Sequence, residues 1–293
     1  MLGEVLTAIV TPFDSSGEVD LERFRAVARH LVENGSDGLV VTGTTGEAPT
    51  LSDAERFDLW EAAVDEVGDR ATITAGTGTY STKHSVHLTE RADELGVDAC
   101  LVVTPYYSKP PVRGIVEHFK AIAAVTEKPL VVYNIPGRVV VNLEPEAIAQ
   151  LAEIENVKAV KQANDDLEQA RRIVELGLVL YAGDDDLVLP FLELGGAGGI
   201  CVHTHVVGPQ VKELATRFRA GDVEGARELE RSLRPSIELL RVAPNPIAIK
   251  AALSLLGHDV GGCRLPLVEA TAEERDQVRE CLQRLSLLQA VTA

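Results

Sequence analysis

Eight short runs of aliphatic, mostly β-branched residues recur along the chain with amphipathic stretches between them, and this alternation constrains the fold more than any other feature. The runs are VLTAIV (5–10), GLVV (38–41), ATITA (71–75), ACLVV (99–103), LVVYN (130–134), VKAVK (157–161), LVLYA (178–182) and GICVH (199–203). They are continuously apolar, as strands covered on both faces are, and that is the mark of a parallel sheet. The stretches between them have helical period: LERFRAVARHLVE (21–33) sets Phe24, Val27, Leu31 and Val32 on one face. Ser52 followed by Glu55 reads as a capping box. No Gly-rich nucleotide fingerprint follows the first run. Eight such units therefore favour a closed (β/α)8 TIM barrel over an open doubly wound sheet.

Beyond residue 221 the strand pattern stops. Helical patterns cover 222–240, 246–256 and 272–289, the last opening on a Thr271/Glu274 capping box, with GHDVGGCRLPLVEAT (257–271) as a connector. The expectation is a barrel over 1–221 and a C-terminal all-helical appendage over 222–293.

The net charge of −17 argues against nucleic acid or an anionic membrane as partner. An anionic substrate must then be gripped by a few local donors against the overall field. No apolar run reaches the roughly 18 residues of a bilayer span. The opening MLGEVLTAIVTPF carries Glu4 and no basic segment, so no signal peptide is expected and a cytoplasmic protein is. Cys100, Cys201, Cys263 and Cys281 form no C-x-x-C pair and read as reduced thiols.

In a barrel of this kind chemistry sits where strands end. After the second run, TGTTGE (42–47) offers hydroxyls and backbone N–H groups at Thr44, Thr45 and Gly46, donors suited to a small carboxylate. The same segment also reads as a turn with hydroxyl caps. Tyr106, Tyr107 and Tyr133, three of only five tyrosines, follow or end the fourth and fifth runs. A phenol there can relay protons or simply line a wall. Arg138, in YNIPGR, is either a fork for a carboxylate or half of a surface ion pair.

Lys161 ends an apolar run. Strand alternation sets Val157, Ala159 and Lys161 toward the barrel interior and Lys158 away from it. Desolvation there favours the uncharged amine, the nucleophile that forms Schiff bases with ketones. The competing reading is an ion pair with Asp184 or Asp185 after the next run. His203 and His205, with Asp184 to Asp186, suggest divalent-metal chemistry instead. No third histidine lies on an adjacent loop, and no metal is expected. Two glycine-rich segments imitate phosphate loops. GTGTYS (76–81) lacks the third glycine, and LGGAGGI (194–200) precedes a run and reads as a tight helix-to-strand connection.

GTTGEAPTLS, TPYYSKP, YNIPGR, VKQAN, AGDDD, GGICV and NPIAIKAAL occur in that order. From LTAIVTPF to RLPL the chain resembles the dihydrodipicolinate synthase branch of the class I, lysine-dependent aldolases. The resemblance implies a lyase in which Lys161 forms a Schiff base with pyruvate and Thr45 binds the pyruvate carboxylate. It implies that Tyr133 shuttles protons, linked through Thr44 to a Tyr107 supplied by a neighbouring subunit. Arg138 would hold the carboxylate of aspartate semialdehyde, and Ile200 would offer its backbone near the pyruvate. The product would be the cyclic precursor of diaminopimelate and lysine, made by a homotetramer with no metal or organic cofactor.

Keto-deoxy-sugar acid aldolases and sialic acid lyases share the tyrosine and the NxP turn but usually not the arginine. A non-catalytic pyruvate-binding relative would not need Thr44, Tyr107, Tyr133 and Lys161 together. The chain departs from the family at Gln162, where an acid is usual, at Cys201, often serine, and at Val139, commonly threonine. At the positions of the family's lysine-inhibitor site stand Asp53, Arg56, Tyr80 and His84. A cation at 56 and no acid at 84 should weaken the hold on an ammonium group, so weak or absent lysine feedback is expected.

Overall fold

In the computed structural model, which describes residues 2–289, the eight runs become β1 (Val5–Ala8), β2 (Gly38–Val41), β3 (Thr72–Gly76), β4 (Ala99–Val103), β5 (Leu130–Asn134), β6 (Val157–Gln162), β7 (Val179–Ala182) and β8 (Gly198–Cys201). Each strand pairs in parallel with its sequence neighbours, and β8 closes on β1 through Leu6↔Ile200. The expected TIM barrel is present. Alternate residues face opposite ways along each strand. Leu6, Val40, Leu101, Val131 and Ile200 fill the interior, while Val5, Leu39, Val102 and Val132 pack outward against helices.

The sixth strand departs from simple alternation. Its register against β5 slips by one residue, Leu130 pairing with Val157 and Val131 with Ala159. Lys158 is the extra residue and is exposed. Such a bulge changes which face the flanking residues occupy. Val157 therefore packs in the outer layer rather than inside as strict alternation predicts, while Ala159 belongs to the interior cluster.

The helices around the barrel are α1 (Leu21–Glu33), α2 (Asp53–Val67), α3 (Thr82–Glu94), α4 (Val112–Ala123), α5 (Pro136–Val139), α6 (Pro145–Ala152), α7 (Leu167–Glu175), α8 (Val188–Glu193) and α9 (Thr204–Arg219). The Ser52/Glu55 capping box that opens α2 has both of its reciprocal hydrogen bonds. LGGAGGI is the α8–β8 connection. A Cβ on Gly198 would lie 1.9 Å from the Glu4 carbonyl oxygen, so only glycine lets β8 approach the start of β1.

Four helices follow: α10 (Val223–Ser232), α11 (Arg234–Arg241), α12 (Ile247–Leu255) and α13 (Ala272–Arg284). The 222–240 pattern is two helices, because Pro235 in the first turn of α11 starts a new one after Leu233. The Thr271/Glu274 box caps α13 as expected. Residues 290–293, included in the expected helical region, lie outside the described residues.

A buried ion pair joins this helical region to the loop after β2. Lys250 Nζ, on α12, lies 2.6 Å from Glu47 Oε1, donates to the Gly262 carbonyl at 2.7 Å, and sits 4.3 Å above the Phe13 ring. The Arg264 N–H donates to the other Glu47 oxygen at 2.9 Å. Removing one partner of such a pair strands the other charge, at a cost of about 3–5 kcal/mol. Lys250→Met should lower stability by that order in urea unfolding, and adding Glu47→Leu should recover much of the loss. A single variant as stable as the parent would show that the pair contributes nothing.

Candidate active site

The loop after β2 takes a conformation that a β-branched residue rarely adopts: Thr42 has φ 55°. Such strain costs on the order of 1–3 kcal/mol and persists only where the surroundings enforce it. Here the Trp60 indole N–H donates to the Thr42 hydroxyl at 2.8 Å, and that hydroxyl donates to the Gly76 carbonyl at 3.3 Å. A Cβ on Gly76 would stand 2.3 Å from the Thr42 carbonyl oxygen, so the glycine is required for this approach. The turn is closed by Glu47 N–H to the Thr44 carbonyl at 3.1 Å and Ala48 N–H to the Gly43 carbonyl at 3.3 Å.

Thr44 and Thr45 thereby line a cleft of about 150 Å³ at the barrel mouth, shared with Tyr133, Arg138, Lys161 and Asp184. At about 30 Å³ per water this equals a handful of waters, enough for a small acid. Gly46 does not line it. Its carbonyl accepts the Thr11 hydroxyl at 2.7 Å, a structural contact. Ile200 is also outside the lining; it is fully buried in the interior layer below the cleft.

Lys161 and Tyr133 are partners in the β5–β6 register. Lys161 is 5 % exposed, and its Nζ lies 4.3 Å from the centroid of the Tyr133 ring. Among the described residues no carboxylate reaches ion-pair distance of Nζ, so the alternative pairing with Asp184 or Asp185 is not formed. Asp185 instead accepts the N–H groups of Val202 and His203 at 2.7 and 2.6 Å. Asp185 nevertheless lines the cleft, as does Asp184. Burial, then the charges of Asp185 and Asp186, push the Asp184 carboxyl above the ordinary carboxylate range, with Lys161 and Arg138 opposing.

Neutral amides support this pair from behind. Asn134 Nδ2 donates to Gln162 Oε1 at 3.0 Å and to Asn142 Oδ1 at 2.9 Å, and Gln162 Nε2 donates to Gln169 Oε1 at 2.6 Å. Gln162 is thus the centre of an uncharged network that fixes the ends of β5 and β6. The sequence reading noted the departure at Gln162 but not its partners, which come from loops far apart in the chain.

Arg138 stands exposed on α5 at the cleft rim, and among the described residues it forms no ion pair. The two tyrosines after β4 part company. Tyr106 lines an adjoining pocket of about 210 Å³ with Arg56, its ring edge-on to Tyr80 at 5.5 Å. Tyr107 has φ 69° and is 93 % exposed, and within one chain it is not brought to Thr44 or Tyr133.

The paired-histidine site is not formed, because β8 stops at Cys201 and the chain turns at once into α9. His205 donates from Nδ1 to the Val202 carbonyl at 2.7 Å and accepts the Val10 N–H on Nε2 at 3.2 Å. It is a satisfied core histidine, which burial pulls down to about 4.

One cleft residue was missed by the sequence reading. Asn245, just before α12, donates from Nδ2 to the Thr45 hydroxyl at 3.0 Å, while its buried Oδ1 has no partner among the described residues. The available signal was its place in NPIAIKAAL, but nothing in the sequence says that this helical segment reaches the barrel mouth.

The chain matches the model of the dihydrodipicolinate synthetase family over residues 1–285. It is 49 % identical to the 4-hydroxy-tetrahydrodipicolinate synthase of Desulforudis audaxviator, over 98 % of each chain. The Moorella thermoacetica enzyme of the same name is 46 % identical, over 98 % of this chain and 99 % of that one. A solved dihydrodipicolinate synthase from Cyanidioschyzon merolae, with lysine bound, superposes with a TM-score of 0.96 at 41 % identity, over 98 % of this chain and 99 % of that one.

Asn245→Ala removes a donor to the Thr45 hydroxyl. A hydrogen bond of this kind contributes about 1 kcal/mol, so the KM for the small acid should rise about fivefold with kcat less affected. An unchanged KM would show that Asn245 does not orient Thr45.

Proposed function

The chain belongs to the dihydrodipicolinate synthetase family, and from that premise we propose how its residues perform the family's reaction. The enzyme is a lyase of the 4-hydroxy-tetrahydrodipicolinate synthase type, condensing pyruvate with L-aspartate-4-semialdehyde in lysine and diaminopimelate biosynthesis. The observation that carries the residue assignment is Lys161: a buried amine over the Tyr133 ring, without a carboxylate partner among the described residues, in a cleft that also holds Thr44, Thr45 and Arg138.

The Lys161 amine, as its free base, attacks the keto carbon of pyruvate, and loss of water gives the imine. Thr45, oriented by Asn245, holds the pyruvate carboxylate. Tyr133 moves protons at the imine and at the methyl carbon, whose deprotonation gives an enamine. The enamine carbon attacks the aldehyde, whose distal carboxylate the Arg138 fork holds. The substrate's own amine then displaces Lys161, releasing the cyclic product. Ile200 and Gly46 enter this reading only as backbone of the strand and turn beneath the cleft.

In this reading Tyr107 completes the proton path from a second copy of the chain, and its exposure and left-handed backbone are what support the assignment. In this reading the assembly is a homotetramer, a dimer of dimers. The division into a barrel over 1–221 and a helical region over 222–293 is retained, with Asn245 and Leu240 of the second reaching the cleft of the first. No helix among the described residues is long and apolar enough to cross a membrane, and a cytoplasmic location fits this biosynthetic role.

The test is turnover of pyruvate with aspartate semialdehyde against a panel of sugar aldehydes, with and without chelator. Aspartate semialdehyde should be strongly preferred, chelation should leave the rate unchanged, and Arg138→Ala should raise the KM for the aldehyde well above that for pyruvate. Preference for a sugar aldehyde would replace this reading with a sugar-acid aldolase. In the same assay lysine should inhibit weakly or not at all. Asp53 is already paired with His84 at 2.8 Å, and the Arg56 guanidinium lines the neighbouring pocket. Inhibition at micromolar lysine would contradict this.

A further inference from the structure

Where β7 and β8 end against the helical region, the fold gathers three metal-ligating side chains to which the mechanism above gives no role, although Asp185 also lines the Lys161 cleft. Asp185 follows β7, Cys201 is the last residue of β8, and His203 precedes α9. One ligand atom from each lies within 4.8 Å of the others.

The hydrogen bonds of His203 define its chemistry. Ser236 donates its hydroxyl proton to the Leu233 carbonyl at 2.7 Å. Its oxygen, 3.1 Å from His203 Nδ1, must then accept from Nδ1–H. In the neutral ring this leaves the lone pair on Nε2. Nε2 is buried without a hydrogen-bond partner among the described residues, and it faces Asp185 Oδ1 at 3.8 Å. Asp185 Oδ1 is satisfied by the Val202 and His203 N–H groups, so the defect lies at Nε2, and an unsatisfied buried acceptor is costly. A cation bound to Nε2 and shared with the Asp185 carboxylate removes it.

The geometry points to a binding site for one thiophilic divalent cation, of the zinc or cadmium class, held by Asp185, Cys201 and His203. Bonds of about 2.0–2.3 Å set neighbouring ligands on a tetrahedral ion roughly 3.3–3.6 Å apart, so Nε2 and the carboxylate need close by only a few tenths of an ångström. Thiolate, imidazole and carboxylate together favour such an ion over magnesium or calcium. On binding, the Cys201 S–H bond is exchanged for a sulfur–metal bond and the proton leaves to water. The thiolate and the carboxylate then balance the two charges of the ion, so the buried cluster is neutral. A cavity of about 470 Å³ lies beside the cluster, its polar lining made of Asp185, Asp186, His203, Glu230 and Glu238 together with Arg231, Arg234 and Arg241, and it gives a fourth ligand position to water. No step of the reaction proposed above is routed through this ion.

The test uses full-length protein freed of metal by chelation and titrated with cadmium alone, read by the thiolate-to-metal absorption band and by equilibrium dialysis. One ion per chain is expected. Cys201→Ser should abolish the band, His203→Gln should weaken binding at least tenfold, and Cys263→Ser should change nothing. No uptake by the parent chain, or a band that survives Cys201→Ser, would overturn the site. If Cys201→Ser fails to fold, judged by near-UV circular dichroism, His203→Gln decides in the same titration, and undiminished binding there overturns it equally.

Discussion

A buried amine that meets no counter-ion among the described residues is the constraint around which the barrel mouth is arranged. Removing an ammonium from water without pairing it costs several kcal/mol, and the face of one aromatic ring returns on the order of 2. The chain accepts this at Lys161, where the described residues offer the Tyr133 ring but no carboxylate. Of the acids after β7, Asp185 accepts two backbone N–H groups and Asp186 pairs with Arg241 at 2.9 Å, while Asp184 stays in the cleft wall outside ion-pair distance. A carboxylate partner favours the protonated amine, which has no lone pair for bond formation, far more strongly than a ring face does. The neutral amides behind the pair follow the same logic, since Gln162 holds the strand ends without adding a charge.

The opposite wall is built differently. The turn bearing Thr44 and Thr45 is strained at Thr42 and held from outside by Trp60, Gly76, Lys250 and Asn245. Two of these four come from the helices after the barrel. The barrel strands position the nucleophile, while the helical region fixes the donors that face it. The helices after β8 thus take part in the cleft itself.

Much of this was legible in the sequence. Eight continuous apolar runs dictate the parallel barrel, and capping boxes at Ser52 and Thr271 mark the starts of α2 and α13. Strand-end positions pick out Thr44, Tyr133, Arg138 and Lys161, which share one cleft. What escaped depends on long-range or one-residue effects. The bulge at Lys158 turns Val157 outward, and no local pattern signals an inserted residue. Asn245 reaches Thr45 across 200 positions, a contact that periodicity cannot report. The two histidines near β8 diverge because the strand ends two residues before the first of them. Tyr107, exposed on a single chain, has meaning only against a surface that one sequence does not contain.

The most direct test of the central claim is reduction with borohydride in the presence of pyruvate, followed by peptide mapping. The account predicts one pyruvate-derived adduct per chain, carried on Lys161, and its loss together with turnover in Lys161→Ala. An adduct on another lysine, or near-normal turnover in Lys161→Ala, would contradict it.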